Sequence, residues 1–368
     1  EKFDRPSKDM MNVQMKTQKL VSLVQPTMTL GMNGLALSIY WLGAALVNKI
    51  ALTDPMGRIG MFSDVLVFST YATYIVMSFM MLVMIFMMLP QAEVSAERIN
   101  EVLNRTAAVT EGSTQRSAEH GTVEFQDVSF RYPHASEDAL SHLSFRVQPG
   151  QTLAIIGATG SGKSTLISLI ARFYDATSGQ VLVDGVDVKD YTFDALYDRL
   201  GYVTQKAVLF SGSIRENIFF GESQTPFNEQ DLAKAVELSQ AQEFVDKLPD
   251  KTEHHIAQMG RNVSGGQKQR LSIARALARN PEILIFDDSF SALDYRTDAK
   301  LREGLSTALH DATKIIVAQR ISTIRHADQI IVLDRGEAVG MGTHAELMQT
   351  CGVYREIALS QLSASELA

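Results

Sequence analysis

Two long stretches of the chain contain no charged residue and consist mainly of apolar side chains. They run from Leu20 to Asn48 and from Val65 to Ala92. Each is longer than the ~20 residues that an α-helix needs to cross a bilayer. Two buried helices of a soluble domain are the alternative, but such helices normally keep a polar stripe, which these stretches lack. The pattern therefore predicts two transmembrane helices, over about 20–48 and 65–92.

The segment between the two predicted spans, residues 49–64, contains Asp54, Pro55 and Gly57, which favour a turn. The sequence thus predicts a helical hairpin with a short loop. The basic residues before the first span are Lys2, Arg5, Lys8, Lys16 and Lys19. Because the loop holds fewer basic residues, the positive-inside rule places both ends of the hairpin in the cytoplasm.

Downstream of the spans the composition changes twice. Residues 105–120 are rich in Thr, Ser, Glu and Gly and poor in apolar side chains, as expected of an exposed linker. Beyond them, the runs Thr152–Ile156, Ile283–Phe286 and Lys314–Val317 have the length of buried strands. We therefore expect a membrane part over residues 1–104, a linker over 105–120 and a separate domain over 121–368.

Composition and charge narrow the class of protein. The chain has 368 residues, enough for one membrane hairpin and one soluble domain of ordinary size. A nucleic-acid partner is not expected, because the net charge is −8 and a nucleic-acid binder normally shows a basic face. The single cysteine, Cys351, excludes an internal disulfide and a cysteine zinc site.

A glycine-rich loop follows the first of the predicted strands. The segment Gly157–Thr165 reads GATGSGKST and leads into the helical run Leu166–Phe173. In this strand–loop–helix setting, backbone N–H groups face a β-phosphate, Lys163 reaches the β- and γ-phosphates, and the Ser164 hydroxyl coordinates Mg²⁺. A chance glycine- and serine-rich turn is the alternative. The motifs that follow argue against it.

Two further motifs lie about a hundred residues downstream. Val263–Gln267 reads VSGGQ and precedes a helical pattern, so Ser264 and the two glycines offer N–H donors at a helix N-terminus, where anions bind. The strand-like run Ile283–Phe286 then ends in Asp287 and Asp288, and the sequence SALD follows at 291–294. The chain therefore carries two phosphate-binding turns and a pair of strand-ending carboxylates.

The order of these motifs, with Gln205 at the end of the sequence YVTQ, resembles that of ATP-binding cassette (ABC) transporter ATPases over about residues 121–350. The resemblance implies an α/β P-loop ATPase domain with a helical subdomain, following the transmembrane hairpin. ATP and Mg²⁺ are the implied cofactors. Two such domains would dimerise head to tail, with each ATP between the phosphate loop of one chain and the VSGGQ turn of the other.

The resemblance also implies roles for single residues. Tyr132 would stack on adenine, although a plain strand tyrosine is the alternative, and Mg²⁺ would be held by Ser164, Gln205 and Asp287. A solvated loop glutamine is the alternative for Gln205. The other expected ATP-binding residues are Gly157, Thr159, Gly160, Ser161, Gly162, Lys163, Thr165, Ser264, Gly265, Gly266, Gln267 and Asp294.

Three positions depart from the family pattern. Asp288 stands where hydrolysing cassettes carry a glutamate base, Gln319 replaces a switch histidine, and Gln258 replaces a glutamate of the cross-domain loop. Aspartate sets the carboxylate back by roughly 1.5 Å, and an amide can neither carry charge nor relay a proton. With Asp288, Gln319 and Gln205 as its catalytic set, the chain resembles the degenerate-site subunit of bacterial heterodimeric multidrug exporters. Its intact Ser264–Gln267 turn would complete the partner's competent site.

We therefore expect an ATPase coupled to export of hydrophobic, multidrug-type compounds, in which this chain pairs with a homologous half-transporter. It would be a multi-pass protein of the cytoplasmic membrane, with its ATPase domain in the cytoplasm. A homodimeric lipid or peptide exporter ranks second, because both of its sites would then lack the glutamate and the histidine. A regulatory ATP-binding subunit with negligible hydrolysis stays open. The uncharged stretches disfavour a soluble cassette ATPase of translation or DNA repair.

Two features of the membrane part bear on this expectation. The segment Ala92–Ile99 resembles the junction between the sixth transmembrane helix of ABC exporters and their ATPase domain, so the first four spans of a half-transporter are expected to be missing. The second span also carries methionines at helical spacing, whose flexible thioethers suit varied apolar ligands. Packing against helices or lipid is the slightly favoured alternative for this methionine face. Its members are Met77, Met80, Met81, Met84, Met87 and Met88.

Overall fold

The computed structural model describes residues 4–221 and 228–361, with side chains from Ser7 onward. These residues form two compact units, the first ending at Thr106 and the second beginning at Ala107. Two of the basic residues noted before the first span are affected by these limits: Lys2 and the side chain of Arg5 lie outside the described residues. The same holds for residues 362–368, at the end of the predicted globular domain.

The first unit is a helical hairpin. Helix α1 (Asp4–Asn48) and helix α2 (Pro55–Leu103) contain 45 and 49 residues. The predicted helices over 20–48 and 65–92 are confirmed, and by length and composition both can cross a membrane. At ~1.5 Å per residue each helix is roughly twice as long as the ~30 Å hydrocarbon core, so each extends beyond a bilayer.

The predicted loop over residues 49–64 is too long. Helix α2 begins at Pro55, so the connection is confined to residues 49–54. The Asp54 side chain accepts a hydrogen bond from the Gly57 N–H (3.0 Å), and Pro55 occupies the first turn, where its missing N–H costs nothing. The Asp–Pro pair therefore starts a helix here instead of forming a turn.

The two helices of the hairpin contact each other through small and polar side chains. Gly43 is buried, and a Cβ added to it would lie 2.6 Å from the side chain of Val65. One turn further along α2, the Ser69 hydroxyl donates to the Tyr40 hydroxyl (3.3 Å). Glycine at this crossing therefore permits close approach of the two backbones, as is common where helices pack in lipid.

The second unit contains twelve short strands and ten α-helices among the described residues. The strands are β1 (Val123–Phe130), β2 (Leu140–Val147), β3 (Thr152–Gly157), β4 (Ser178–Val183), β5 (Val186–Asp187), β6 (Leu200–Val203), β7 (Gly212–Ser213), β8 (His255–Ile256), β9 (Ile283–Asp287), β10 (Thr313–Val317), β11 (Gln329–Asp334) and β12 (Glu337–Gly342). The α-helices are α3 (Lys163–Ile170), α4 (Phe193–Arg199), α5 (Ile214–Ile218), α6 (Glu229–Leu238), α7 (Gln242–Val245), α8 (Gly265–Leu277), α9 (Tyr295–Ala308), α10 (Ile321–Ile324), α11 (His344–Thr350) and α12 (Gly352–Gln361).

A six-stranded sheet forms the centre of this unit, in the order β12-β11-β3-β10-β9-β6. All neighbouring strands except β12 are parallel. Along β9, Ile283 and Ile285 face one hydrophobic core, whereas Leu284 and Phe286 face the other. Both faces are therefore covered, which explains why the strands read as continuous apolar runs. The carboxyl ends of β3, β9 and β10 meet at one edge of the sheet.

Two further layers complete the unit. One core packs the central sheet against a four-stranded antiparallel sheet, β2-β1-β4-β5. The other packs it against helices, including α6 and α8 with Leu232 and Leu271 at their buried faces. The expected α/β ATPase fold with a helical subdomain is confirmed.

Candidate nucleotide-binding site

The glycine-rich loop has the predicted strand–loop–helix geometry: β3 ends at Gly157 and α3 begins at Lys163. Two of its glycines are required by their surroundings. A Cβ at Gly157 would lie 2.1 Å from the carbonyl oxygen of Leu333 on β11. Gly162 caps the helix with φ of 101°, a conformation that other residues rarely adopt. The loop therefore lies tightly against β11 and presents the free N–H groups of the first turn of α3 to the cavity.

Lys163 is folded back over the loop. Its Nζ donates to the carbonyl oxygens of Gly157 (2.8 Å) and Ala158 (2.7 Å). Burial lowers the pKa of Lys163, although Asp288 and Asp287 partly offset the effect. The ammonium group thus occupies a position from which it can turn toward an anion above the loop.

Two carboxylates extend the site from β9. The Ser164 hydroxyl donates to Asp287 Oδ1 at 3.2 Å, which brings the start of α3 and the end of β9 together. Burial raises the pKa of Asp287, and the neighbouring carboxylate of Asp288 adds to the shift. A hydroxyl and a carboxylate are ligands that Mg²⁺ accepts, and its charge would offset the unfavourable burial of two acids. These residues fit a Mg²⁺ ion.

Asp288 is held by its backbone and by two amides. Its φ is 47°, its N–H donates to Val317 O (3.0 Å), and its carbonyl accepts from the Ser291 hydroxyl (2.8 Å). Oδ2 accepts from Gln319 Nε2 (2.9 Å) and from Gln205 Nε2 (3.3 Å). Burial raises the pKa of Asp288, and these two amides only partly oppose the shift. All three residues predicted to form the catalytic set are therefore in contact.

These residues surround a cavity of about 610 Å³. Tyr132 lies on its wall, where its hydroxyl shares a hydrogen bond with the Thr165 hydroxyl (2.9 Å). The Tyr132 ring contacts Phe130 and Tyr174 edge-on, at centroid distances of 4.8 and 5.2 Å. The other predicted residues on the wall are Thr159, Gly160, Gly162, Lys163, Ser164, Thr165, Gln205, Asp287, Asp288 and Gln319.

Gly157 and Ser161 lie beneath this wall. Ser161 is 3% exposed, and its hydroxyl has no hydrogen-bond partner among the described residues. The loop backbone and this hydroxyl therefore leave polar groups for a ligand to satisfy.

The predicted residues of the VSGGQ turn do not line this cavity. Ser264 caps α8: its hydroxyl accepts from the Gln267 N–H (3.3 Å), and the Gln267 side chain accepts from the Ser264 N–H (2.8 Å). Apart from its chain neighbours and its own helix backbone, no described residue lies within 4 Å of a Cβ added at Gly265, and Gly266 has only the Ala292 carbonyl nearby. The turn thus presents an open helix N-terminus, separate from the phosphate loop of its own chain.

Asp294 also lies outside the cavity. It caps α9, where its carboxylate accepts from the N–H (3.0 Å) and the hydroxyl (2.7 Å) of Thr297. Hydrogen bonds from the first turn of α9 lower the pKa of Asp294. The described contacts therefore give Asp294 a capping role.

The cavity wall includes residues that sequence reasoning missed. Most of them come from the segment between β1 and β2 and from the β11–β12 turn, both far from the motifs in sequence, whereas Val317 ends β10, two residues before Gln319. Asp138 pairs with Arg131 (2.8 Å), and Arg335 is exposed beside Asp334. No spacing pattern could have identified them. The missed residues are Glu137, Asp138, Ala139, Val317, Arg335 and Gly336.

Comparison with known proteins agrees with this geometry. Residues 140–291 match the sequence profile of the family described as "ABC transporter". The second unit contains an ABC transporter ATPase domain. Its cofactors are ATP and Mg²⁺.

Relatives of similar sequence carry the same domain. An uncharacterized ABC transporter ATP-binding protein of Mycobacterium tuberculosis is 40% identical over 99% of this chain and 62% of its own length. YfiB of Bacillus subtilis, likewise described, is 40% identical over 98% of this chain and 61% of its own. An ATP-dependent lipid A-core flippase of Xanthomonas oryzae is 42% identical over 72% of this chain and 44% of its own. The chain thus spans about 60% of the length of the Mycobacterium tuberculosis and Bacillus subtilis proteins.

A solved structure extends the similarity to the helical hairpin. A bacterial Atm1-family ABC exporter with ATP bound superimposes with a TM-score of 0.83 at 29% identity, covering 98% of this chain and 62% of that one. The two apolar helices therefore match the membrane part of an ABC exporter. Together with their length and composition, this match assigns the chain to a membrane.

Proposed function

We propose that this chain is one subunit of an ABC exporter that couples ATP binding and hydrolysis to outward movement of hydrophobic compounds across the cytoplasmic membrane. Helices α1 and α2 form part of the membrane pathway, and the ATPase domain acts in the cytoplasm. The similarity of both units to an Atm1-family exporter supports this assignment. A lipid bilayer, a hydrophobic small molecule and a second half-transporter are the proposed partners.

In the proposed ATP site, the loop from Gly157 to Thr165 surrounds the phosphates. Lys163 leaves its two backbone acceptors to contact the β- and γ-phosphates, and Ser164, Asp287 and Gln205 surround Mg²⁺. Tyr132 provides the aromatic surface for adenine. The wall position of these side chains supports the roles, because each is within one cavity.

The observation on which the finer proposal depends is the environment of Asp288. In a hydrolysing cassette, the carboxylate at this position takes a proton from the attacking water or orients that water, which requires ~2.6–3.2 Å geometry. Here the shorter Asp288 accepts two amide N–H groups on one oxygen. Neither glutamine can relay a proton. The site on this chain is therefore slow, and it holds ATP through several turnovers of a partner site.

The second half of the proposal concerns the VSGGQ turn. Ser264 begins an exposed helix N-terminus that does not line the nucleotide cavity of its own chain. In a head-to-tail heterodimer, this turn and Asp294 complete the competent site on the partner's phosphate loop. One chain then combines a slow site of its own with an essential contribution to its partner's.

A homodimeric lipid exporter is the second candidate. The observation that favours it is the relative named as an ATP-dependent lipid A-core flippase, at 42% identity. Both ATP sites of such a homodimer would be built on Asp288 and Gln319, which makes efficient hydrolysis in either site difficult to explain.

The test is the ATPase rate of the purified full-length protein, alone and with a co-expressed homologous half-transporter that carries glutamate and histidine at the equivalent positions. We expect low turnover for the protein alone and much higher turnover for the stable mixed dimer. Turnover of the protein alone equal to that of the mixed dimer would establish the homodimer instead.

A further inference from the structure

A second cluster of chemically reactive side chains lies at the opposite end of the strands from the nucleotide cavity. His120 precedes β1, Asp184 follows β4, and Glu282 immediately precedes β9. One imidazole nitrogen and one carboxylate oxygen from each acid all lie within 4.8 Å of one another. The nucleotide site uses none of these residues.

Asp184 is the fully buried member of the cluster, with a side chain exposed to 0%. Its Oδ1 accepts from the Thr122 N–H (2.9 Å). Its Oδ2 has no hydrogen-bond partner among the described residues, although Arg199 Nε lies 3.2 Å away. Glu282 Oε2 is also buried without a hydrogen bond. The charge of Arg199 offsets part of this burial at Asp184 Oδ2, whereas the burial of Glu282 Oε2 is costly unless a cation or a proton satisfies it.

His120 supplies the third donor. Its Nδ1 lies 3.3 Å from Glu282 Oε1. Ligands of a tetrahedral Zn²⁺ ion at ~2.0–2.2 Å lie roughly 3.4 Å from one another, close to this separation. His120 is exposed and can reorient toward the two carboxylates.

The cluster is open to solvent, and its surroundings leave it negatively charged, so a cation can reach it and is attracted to it. His120 and Glu282 form part of the wall of an open cavity of about 480 Å³, which admits water to a free coordination position. Arg199 is the positive group beside Asp184, but it also donates to the Ser117 hydroxyl (3.2 Å) and stacks over Tyr191. One guanidinium therefore opposes two carboxylates, and the cluster retains a net negative charge.

We propose that His120, Asp184 and Glu282 bind a Zn²⁺ ion. One nitrogen and two carboxylate oxygens are a ligand set that Zn²⁺ accepts, with water in the fourth position. The ion connects the start of β1, the turn after β4 and the start of β9, and so joins the antiparallel sheet to the central sheet. Because it lies at the end of β9 opposite to Asp287, the ion is separate from the nucleotide site.

The test is Zn²⁺ titration of the full-length, metal-stripped and nucleotide-free protein by calorimetry, with the melting temperature recorded at each step. We expect one Zn²⁺ per chain and a higher melting temperature. His120→Gln and Glu282→Gln each weaken binding at least about ten-fold and remove the thermal shift. Both replaced side chains are partly exposed, so these variants should fold.

Two controls make the result specific. His142→Gln removes an exposed histidine that contacts a single carboxylate, Asp127 (2.8 Å), and should leave Zn²⁺ binding unchanged. Asp287→Asn weakens metal binding in the nucleotide cavity. It should leave Zn²⁺ binding at His120, Asp184 and Glu282 unchanged. The proposal is overturned if Zn²⁺ binding survives His120→Gln and Glu282→Gln, or if Asp287→Asn abolishes it.

Discussion

Lys163 is the side chain whose removal should weaken nucleotide binding most. Its ammonium group supplies the positive charge above the phosphate loop, and charge-assisted hydrogen bonds contribute about 1.5–3 kcal/mol each. Lys163→Ala should therefore raise the dissociation constant of ATP by roughly ten- to a hundred-fold. A fluorescent ATP analogue titrated into the protein measures the change. Lys300→Ala, on the exposed face of α9, is the matched control, and equal affinities for the two variants would remove Lys163 from the site.

Two substitutions of Tyr132 distinguish the contribution of ring stacking to ATP binding from that of the Tyr132 hydroxyl. Tyr132→Ala should cost about 1–3 kcal/mol of ATP binding if the ring stacks on adenine. Tyr132→Phe loses only the hydrogen bond to Thr165 and should bind ATP nearly normally. If ATP and inorganic triphosphate lose affinity equally in Tyr132→Ala, the ring does not recognise the base.

The sequence predicted the site residues that lie within motifs and missed those that lie outside them. Lys163, Ser164 and Asp287 were predictable because a short loop and a strand end fix their spacing. Asp138, Arg335 and the other missed wall residues come from segments that only the folded sheets bring to the cavity. At Gly157 the sequence predicted a phosphate-binding loop, and the structure adds a second reason for glycine, the nearby carbonyl oxygen of Leu333.

The capping box at the start of α8 gives Ser264 two separable roles. Ser264→Ala removes the acceptor for the Gln267 N–H and should destabilise the domain by about 1 kcal/mol. Ser264→Asp keeps a good N-cap but places negative charge where the partner's phosphate is proposed to lie. We expect Ser264→Asp to melt near the unsubstituted protein and yet to lose ATPase activity of the assembled exporter. Full activity in Ser264→Asp would contradict the proposed phosphate contact.

The methionine face of α2 is the element that bears on substrate range. Of its members, Met80 is partly buried, while Met77, Met81, Met84, Met87 and Met88 are exposed. Packing against α1 therefore does not account for most of the face.

Replacing Met80, Met84 and Met87 with isoleucine keeps the surface apolar but removes its adaptability. We expect transport of chemically distinct dyes by the full assembly to change unequally. The control replaces Leu82 and Leu89 on the same helix with isoleucine. A uniform change for all dyes, or none, would indicate packing.

Helices and strands were predicted well where a long pattern specified them, and less well at their ends. Both membrane helices and the apolar strands of the central sheet follow from uninterrupted runs. The hairpin loop was predicted ten residues too long, because Asp54 and Pro55 suit a turn and a helix start equally. The Gly57 N–H bond to the Asp54 side chain and the Arg58 N–H bond to the Asp54 carbonyl identify a helix start.

The two ATP sites of the proposed exporter differ in their rate of hydrolysis. In the proposed heterodimer, Asp288 with Gln205 and Gln319 would form a slow site, and the turn beginning at Ser264 would complete the fast site of the partner. Neither property can be measured on an isolated domain, because each site requires two chains.

The most direct measurement is the steady-state ATPase rate of the full heterodimer with Asp288→Ala. We expect a reduction of no more than about three-fold, because the partner's site carries most of the turnover. Ser264→Ala in the same assembly should lower the rate by about a hundred-fold or more, the effect of removing a donor to transition-state charge. If Asp288→Ala instead silences hydrolysis as completely as loss of the partner's own catalytic carboxylate, Asp288 is a working base and the asymmetric account is wrong.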